Sequence, residues 1–225
     1  MPPHPRPLRG LLLDLDGTLI DRDEALRSWL RRRAGLSARE LDELMTIDAD
    51  ELGLLAELAI ELLHRRPGLA RDPIALGQRI RDELPDQLQP DPAIAGLLTR
   101  LRDGGLRLGV VSNGGPSQRR KLERARLPLE CFTAIVISGE VGLAKPDPRI
   151  FALALARLEL SAGEVMMIGD SPEHDIAGAH AAGLASGWIA RGRSWPAALD
   201  LPALTLASVL DLPARLLDAS GIKIP

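Results

Sequence analysis

The sequence predicts an α/β protein, in which a parallel sheet is covered by helices on both faces and a helical insertion follows the first strand. Short apolar runs recur along the chain, and each alternates with a segment of helical periodicity. Such alternation is typical of parallel sheets, whose strands are buried on both faces. The stretch 21–90 contains no strand-like run, which predicts the insertion.

The first strand is predicted at Leu8–Leu15, where an apolar run is closed by Asp16-Gly17. Further strands are predicted at Leu106–Ser112, Thr133–Ile137, Val165–Ile168 and Leu184–Ile189. Helices are predicted beside them at Pro92–Arg102, Pro116–Arg126, Pro148–Leu158 and Pro172–Ala182. Proline marks the start of each, because the first N–H of a helix has no partner within it. Ligands of such sheets bind at the carboxyl ends of the strands.

The insertion is predicted to contain four amphipathic helices separated by glycine, proline and aspartate. Their predicted ranges are Asp23–Arg33, Ala38–Met45, Glu51–His64 and Pro73–Leu84. The chain therefore divides into a core domain, 1–20 and 91–225, and a helical domain, 21–90.

Composition limits the classes of function. The 225 residues are 45% hydrophobic and 26% charged, which is typical of a soluble globular protein. A net charge of −3 offers no basic surface for nucleic acid, and no apolar run is long enough to span a bilayer. The N-terminus lacks the apolar region of a signal peptide. The single cysteine, Cys131, fits a reducing cytoplasm and is expected to be buried. We expect a cytoplasmic monomer or homodimer.

Two aspartates close the first predicted strand, in the run Asp14-Leu15-Asp16-Gly17-Thr18. Residues two apart in a strand face the same side, so both carboxylates can point into one pocket. Two close carboxylates repel each other unless a cation or a shared proton lies between them. A divalent cation with oxygen ligands satisfies them. A turn with two exposed aspartates is the alternative interpretation of this segment alone.

Two further clusters follow later elements. Ser112-Asn113-Gly114-Gly115 lies between a strand and a helix, where hydroxyl, amide and backbone N–H groups can cradle an anion. An ordinary turn with a helix cap explains the same residues.

Lys145 precedes Pro146-Asp147-Pro148 and is one of three lysines among 28 basic residues. Its presence in an arginine-rich chain indicates a need for a compact point charge. A second lysine, Lys121, is expected on an exposed helix face.

A fourth cluster, Gly169-Asp170-Ser171, ends a predicted strand, and Asp175 follows about one helical turn later. A metal ion bound by Asp14 needs further carboxylate ligands, and Asp170 at this strand end can supply one. His174 is expected to be a solvated surface residue, because neighbouring helix positions point apart.

Taken in order, the four clusters resemble the motifs of the haloacid dehalogenase-like hydrolase superfamily. The resemblance rests on Asp-x-Asp-Gly-Thr, Ser-Asn-Gly, Lys-Pro-Asp and Gly-Asp-Ser-x-x-x-Asp, and it covers the chain from Leu8 to about Arg191. It implies a Rossmann-like core with the insertion as the small helical cap domain of that superfamily. It also implies an enzyme of the phosphatase branch, a phosphoric monoester hydrolase that uses Mg²⁺ on a small phosphorylated substrate.

The resemblance also implies a role for each motif residue. Asp14 would attack phosphorus and form an aspartyl-phosphate, and Asp16 would protonate the leaving group and then activate water. Mg²⁺ would be held by Asp14, the backbone carbonyl of Asp16, and Asp170, with Asp175 supporting these ligands. The phosphoryl group would be bound by the remaining motif residues, which are Thr18, Ser112, Asn113 and Lys145.

Other reactions are weighed on the same residues. Asp16 argues against a dehalogenase, which needs no general acid, and the lack of lysine before Lys121 argues against a phosphonate hydrolase with a cap lysine. A phosphomutase shares all four motifs and stays open. A different class also stays open, namely a non-hydrolytic phospho-acceptor or binding module that resembles bacterial receivers.

The substrate has weaker signals in the sequence. Val136–Gly142 and Gly187–Ile189 are similar to a subgroup that acts on pyrimidine nucleoside monophosphates, and phosphoglycolate is the second candidate. Substrate choice would lie in the insertion, where the candidate contacts are Trp29, Arg31–Arg33, Arg65 and Arg66. Runs of arginine on a helix are, however, typical of a solvated face.

Overall fold

Six parallel strands form one sheet in the computed structural model, which describes residues 7–47 and 55–212. Their spatial order is β3-β2-β1-β4-β5-β6. The strands are β1 (Gly10–Leu13), β2 (Arg107–Ser112), β3 (Phe132–Ile137), β4 (Val165–Gly169), β5 (Ala185–Ile189) and β6 (Leu204–Leu206). Helices connect them, so the predicted α/β, Rossmann-like fold is confirmed. The strand order reverses between β1 and β4, which is where such sheets bind ligands.

Most α-helices of the described residues have bounds close to those predicted, whereas the short helix at Ser138–Val141 was not predicted. The α-helices are α1 (Arg22–Ala34), α2 (Ala38–Leu44), α3 (Leu55–Arg65), α4 (Pro73–Glu83), α5 (Pro92–Asp103), α6 (Ser117–Arg124), α7 (Ser138–Val141), α8 (Pro148–Leu158) and α9 (Gly178–Ala181). The predicted start of the third helix at Glu51 lies outside the described residues. Asp91 and Asp147 cap α5 and α8, each by accepting a backbone N–H, and proline occupies the first turn of both helices.

The apolar runs of the sequence become inner strands because helices cover both faces of the sheet. Every residue of β1 is buried, and Leu11–Leu13 are fully enclosed. Helix α8 packs on β2 and β3, and its Ile150 and Phe151 share a core cluster with Leu12 and Met167. This rigid apolar base positions the loops at the carboxyl ends of the strands.

The chain divides into two compact units, which we call the sheet unit and the helical unit. The sheet unit comprises Met1–Ile20, Asp91–Gly115 and Arg126–Pro225. The helical unit comprises Asp21–Pro90 and Pro116–Ala125. The second segment of the helical unit contains α6, whereas the sequence predicts α6 in the core domain.

The helical unit has an apolar core centred on Trp29, which is fully buried. The indole N–H of Trp29 donates to Glu83 Oε2 at 3.0 Å, and the Arg79 guanidinium lies 6.0 Å from the ring centroid. Trp29 is therefore a packing residue rather than an exposed substrate contact. Arg65 and Arg66 form ion pairs with glutamates of α2 and α3 in the same unit.

Three local features differ from the sequence expectations. Lys121, expected on an exposed face, is 1% exposed, because it lies on the inward stripe of α6 together with Gln118 and Leu122. The predicted helix Pro172–Ala182 is divided into a π-helical turn at Pro172–Ala177 and the short α9. The edge strand β6 was not predicted.

Two further expectations concern burial and membranes. Cys131 is buried, as predicted. Within 7–47 and 55–212, no helix is long and apolar enough to cross a bilayer.

Candidate active site

The carboxyl ends of β1 and β4 bring two aspartates together. Asp14 follows the last residue of β1, and Asp170 follows the last residue of β4. These strands are hydrogen-bonded neighbours, and the Asp14 N–H donates to the Ile168 carbonyl at 2.9 Å. The two carboxylates therefore lie where the strand order of the sheet reverses.

Three carboxylates meet at this point. Oxygen atoms of Asp14, Asp170 and Asp175 all lie within 4.8 Å of one another. Two glycines allow this approach. A Cβ atom on Gly17, whose φ is +80°, would lie 2.5 Å from Asp170 Oδ2, and a Cβ atom on Gly169 would overlap the Asp175 carboxylate. Glycine is required at both positions because any side chain would displace a carboxylate.

Lys145 is 3% exposed, and its ammonium group is surrounded by oxygen atoms. Nζ donates to Asp14 Oδ1 at 2.6 Å, to Asp175 Oδ1 at 2.7 Å and to the Val111 carbonyl at 2.8 Å. An ammonium group has three donors, so these three acceptors use all of them. Lys145 thus links Asp14 to Asp175 and to β2. Its contact with a phosphoryl oxygen stays a prediction.

The buried charges shift one another's pKa. Burial raises the pKa of the Asp14 carboxyl well above its ordinary value; Lys145 opposes this shift, and the charges of Asp175 and Asp170 add to it. Burial, followed by repulsion from Asp175, raises the pKa of Asp170 to about 6. Burial disfavours the charged form of Lys145, but Asp14 and Asp175 outweigh it and hold its pKa above the ordinary value.

This donor set fits a divalent cation. Three carboxylates beside one ammonium group leave an excess of negative charge, and their repulsion adds to burial in raising the pKa of Asp14 and Asp170. Hard cations such as Mg²⁺ take carboxylate and carbonyl oxygens as ligands. Thr18 Oγ1 is buried and has no hydrogen-bond partner among the described residues, so it can still bond to a ligand oxygen.

The second motif forms a loop that is tied to two other segments. The Asn113 side chain binds both backbone groups of Lys145, because Nδ2 donates to its carbonyl at 2.9 Å and Oδ1 accepts its N–H at 2.8 Å. The Gly114 N–H donates to Ser138 Oγ at 2.9 Å, and the Gly139 N–H donates to the Gly114 carbonyl at 2.9 Å. Asn113 therefore holds the Lys145 loop in place, and its role as a phosphate ligand stays a prediction.

The remaining predicted residues lie in the same unit. Asp16 is half-buried in the turn after β1, and its carboxylate is outside the group of three found among the described residues. Only the backbone carbonyl of Asp16 is predicted to bind the metal. Ser112, the last residue of β2, is 1% exposed. His174 is half-buried rather than fully solvated, with Nδ1 3.2 Å from Ser171 Oγ.

Two residues beside Asp170 were not predicted as part of the site, although Trp188 lies in the Gly187–Ile189 run that was singled out for the substrate. Arg193 Nη2 donates to the Asp170 carbonyl at 2.7 Å and to Asp170 Oδ2 at 3.1 Å. Trp188 Nε1 donates to the same carbonyl at 3.0 Å. Arg193 lies 23 residues beyond Asp170 in a chain rich in arginine, so nothing in its local sequence marks it.

A family model described as haloacid dehalogenase-like hydrolase matches residues 8–183. The chain belongs to this family. The matched range contains all four motifs and the three grouped carboxylates. The family predicted from the motifs is thus confirmed, and the protein is a hydrolase.

Curated relatives of this haloacid dehalogenase-like hydrolase are phosphatases. It is 42% identical to a phosphoserine phosphatase of Thermus thermophilus over 102 residues, which are 45% of this chain and 41% of the relative. It is 32% identical to a glyceraldehyde 3-phosphate phosphatase of Methanopyrus kandleri over 83% of this chain and 85% of the relative. It is 35% identical to the pyrimidine 5'-nucleotidase YjjG of Escherichia coli over 63% of each chain. The first match therefore spans less than half of that relative, whereas the second spans most of its length.

A solved structure has the same fold. The crystal structure of the HAD-hydrolase YfnB from Bacillus subtilis, bound to magnesium, is similar with a TM-score of 0.80 and 24% identity. The similarity covers 94% of this chain and 99% of that one. At this identity, the likeness supports the fold assignment alone.

Proposed function

We propose that this hydrolase is a magnesium-dependent phosphatase, which acts on a small phosphorylated metabolite through an aspartyl-phosphate on Asp14. The observation that carries the proposal is the position of Asp14. Its carboxylate is buried at the end of β1 beside Asp170 and Asp175, with Lys145 Nζ 2.6 Å from its Oδ1. A carboxylate nucleophile and a phosphate dianion repel each other, so the reaction needs positive charge at this place.

The residues assigned to Mg²⁺ are Asp14, Asp170 and the backbone carbonyl of Asp16, and Asp175 supports them through its ion pair with Lys145. When bound there, the ion would neutralise charge on the nucleophile and the phosphoryl oxygens. The grouped carboxylate oxygens support this choice of metal, because Mg²⁺ takes oxygen ligands.

The chemistry uses the two aspartates of the first motif in turn. An Asp14 oxygen attacks phosphorus, the bond from phosphorus to the ester oxygen breaks, and Asp16 gives its proton to the leaving oxygen. The Asp16 carboxylate then takes a proton from water, whose oxygen attacks the phosphorus of the aspartyl-phosphate. The bond to Asp14 breaks, which releases phosphate and restores both carboxyl groups. Thr18, Ser112 and the backbone beyond Ser112 bind the transferring oxygens.

The substrate class is taken from the relatives. Their names give phosphoserine, glyceraldehyde 3-phosphate and pyrimidine nucleotides, which are all phosphate monoesters of small metabolites. We propose the same class here, with nucleoside monophosphates and phosphoglycolate as first candidates. The role of the insertion as a substrate-selecting cap, the cytoplasmic location and the monomeric or homodimeric state stay predictions.

The test is release of inorganic phosphate from a panel of nucleotides, sugar phosphates, phosphoserine and phosphoglycolate. We expect turnover with Mg²⁺, none with EDTA, and restoration when Mg²⁺ is returned; the Asp14→Asn variant is the inactive control. Undiminished turnover in excess chelator would contradict the metal assignment. Phosphoryl movement within one molecule without phosphate release would indicate a phosphomutase, and a stable phospho-Asp14 would indicate a phospho-acceptor.

A further inference from the structure

We propose that Arg193, together with Trp188, is a positioning residue that fixes the Asp170 carboxylate for cation binding. This inference rests on the metal site of the proposed function. It concerns residues outside the four motifs, in the loop that follows β5.

Hydrogen bonds from Arg193 join the end of β4 to the end of β5. Nη2 contacts the Asp170 carbonyl at 2.7 Å, Asp170 Oδ2 at 3.1 Å and the Ile189 carbonyl at 3.2 Å. Nε donates to the Ala190 carbonyl at 3.2 Å. The guanidinium group thus contacts the carbonyl at the end of β5, the carbonyl of the next residue, and both the backbone and the side chain of Asp170. The planar fork meets Asp170 through one nitrogen, Nη2, while Nε anchors the group to the backbone at Ala190.

The Trp188 ring lies against the guanidinium group, and Trp195 packs on Trp188. Trp188 is 2% exposed, and its ring centroid lies 5.8 Å from Arg193 Cζ. Trp195 packs its ring against Trp188 at a centroid distance of 5.1 Å and an angle of 74°. A cation is attracted to an aromatic face, so the ring restricts where the guanidinium group can lie. The Trp188 N–H adds a second donor to the Asp170 carbonyl.

The three carboxylates of the site are oriented by two cations. Lys145 uses its three donors on Asp14, Asp175 and the Val111 carbonyl. Asp170 is instead bonded by Arg193, and the close approach of Gly17 limits its movement from another side. When a group that hydrogen-bonds to a metal ligand is removed, metal affinity typically falls by about 10–100-fold. Arg193 is such a group, because it hydrogen-bonds to Asp170.

The experiment measures the Mg²⁺ dissociation constant by isothermal titration calorimetry, without substrate, for the wild type and for Arg193→Ala. We expect binding to weaken by about tenfold or more in the variant. Arg193→Lys keeps the charge but lacks the fork, so it should restore affinity only partly. Arg102→Ala is the matched control, because Arg102 is about as exposed as Arg193 and pairs with Asp103 elsewhere in the sheet unit. It should bind Mg²⁺ like the wild type.

The outcomes separate positioning from other roles. Tighter binding in Arg193→Ala would overturn the proposal, since Arg193 would then be a competitor of the cation. Equal binding together with a lower Tm would also overturn it, because the role would be structural only. Trp188→Phe, which keeps the aromatic face and loses the N–H, should weaken binding less than Arg193→Ala and gives a second test if that variant fails to fold. A wild type that binds no Mg²⁺ would overturn the metal site and this inference together, whereas equal binding by wild type and variants overturns the inference alone.

Discussion

The sheet unit contains buried ion pairs at its candidate site, whereas ion pairs of the helical unit lie at the surface. In the sheet unit, Asp14, Asp175 and Lys145 are buried and bonded to one another. In the helical unit, pairs such as Arg27–Asp42 and Arg39–Glu43 lie at the surface, where one partner of each is more than two-thirds exposed. Exposed pairs contribute about 0–1 kcal/mol to stability, whereas each buried charge costs several kcal/mol in lost hydration.

The buried charges of the sheet unit lower its stability, so their position indicates a functional site. The core of the sheet unit is apolar, so packing alone does not explain three carboxylates around one lysine. Such an arrangement is typical of functional sites, at which burial and like charges shift pKa values. The same charge change should therefore have different effects in the two units.

Asp14→Asn should show the largest effect. We expect kcat to fall by roughly 10⁴-fold or more, because the amide is a poor nucleophile. The Tm measured in EDTA should stay equal or rise, because one of three repelling carboxylates is gone while an acceptor for Lys145 remains. Asp42→Asn, at the exposed pair of the helical unit, should change neither quantity. A strongly lowered Tm in Asp14→Asn would contradict the expectation that the grouped carboxylates destabilise the sheet unit.

Asp16→Asn should have the next largest effect, since a general acid contributes about 10²–10⁴-fold. Alkyl phosphates should lose turnover on this scale. With p-nitrophenyl phosphate, whose leaving group scarcely needs a proton, a rapid burst of one equivalent of p-nitrophenol should remain before the slow second step. Loss of the burst to the same extent as alkyl ester turnover would mean that Asp16 is not the acid.

Lys145→Ala should lower kcat/KM by roughly a hundredfold or more, the scale of losing one electrostatic donor. Its Tm in EDTA should also fall, because the buried carboxylates lose their cation, which is the opposite sign from Asp14→Asn. Lys145→Arg should restore activity only partly, since a guanidinium group is broader than an ammonium group. The control is Arg149→Ala, at an exposed pair with Asp147. A fully active Lys145→Arg would contradict the need for a lysine.

Lys121 shows what the sequence does not reveal about single residues. The shortage of lysine indicated a role for Lys145, but this shortage says nothing about whether Lys121 is buried. The pattern was present, because Gln118, Lys121, Leu122 and Ala125 follow helical spacing and all are buried. A charged member of an inward stripe was interpreted as exposed because lysine is seldom enclosed. Lys121 is therefore unsuitable as the control for Lys145.

Much of the candidate site could be predicted because its residues follow strand ends directly. Asp14 and Asp170 close apolar runs, and parallel strands bring their carboxyl ends to one edge. Contacts across the chain could not be predicted. Asn113 holds the backbone of Lys145, 32 residues away, and Arg193 binds Asp170, 23 residues away. Neither contact leaves a periodic signal, since both depend on loop conformations.

Two matched capping boxes provide the smallest test of the comparison, one in each unit. Ser37 and Glu40 cap α2 in the helical unit, and Ser161 and Glu164 form the same motif before β4. Hydrogen bonds from the backbone and hydroxyl of each serine hold the pKa of both glutamates at about 2, well below the ordinary 4.5. Both motifs are local, and both glutamates are partly exposed, so their effects should not depend on the unit in which they lie.

Glu40→Gln and Glu164→Gln should each lower the Tm by a few degrees at most at neutral pH. A glutamate whose pKa is lowered in the folded state stabilises that state above its unfolded pKa, and this contribution is lost as the pH falls through the folded pKa. The difference in Tm between wild type and either variant should therefore be constant above about pH 5 and shrink from about pH 4.5 towards 2. Thermal unfolding followed by circular dichroism across this range in EDTA measures it. A difference that stays constant down to pH 3 would mean that the carboxylate charge is not what the cap uses. If the difference in Tm shrinks for only one of the two variants, the capping glutamates of the two units are not equivalent. The two units would then differ in their surface charges as well as in their buried ones.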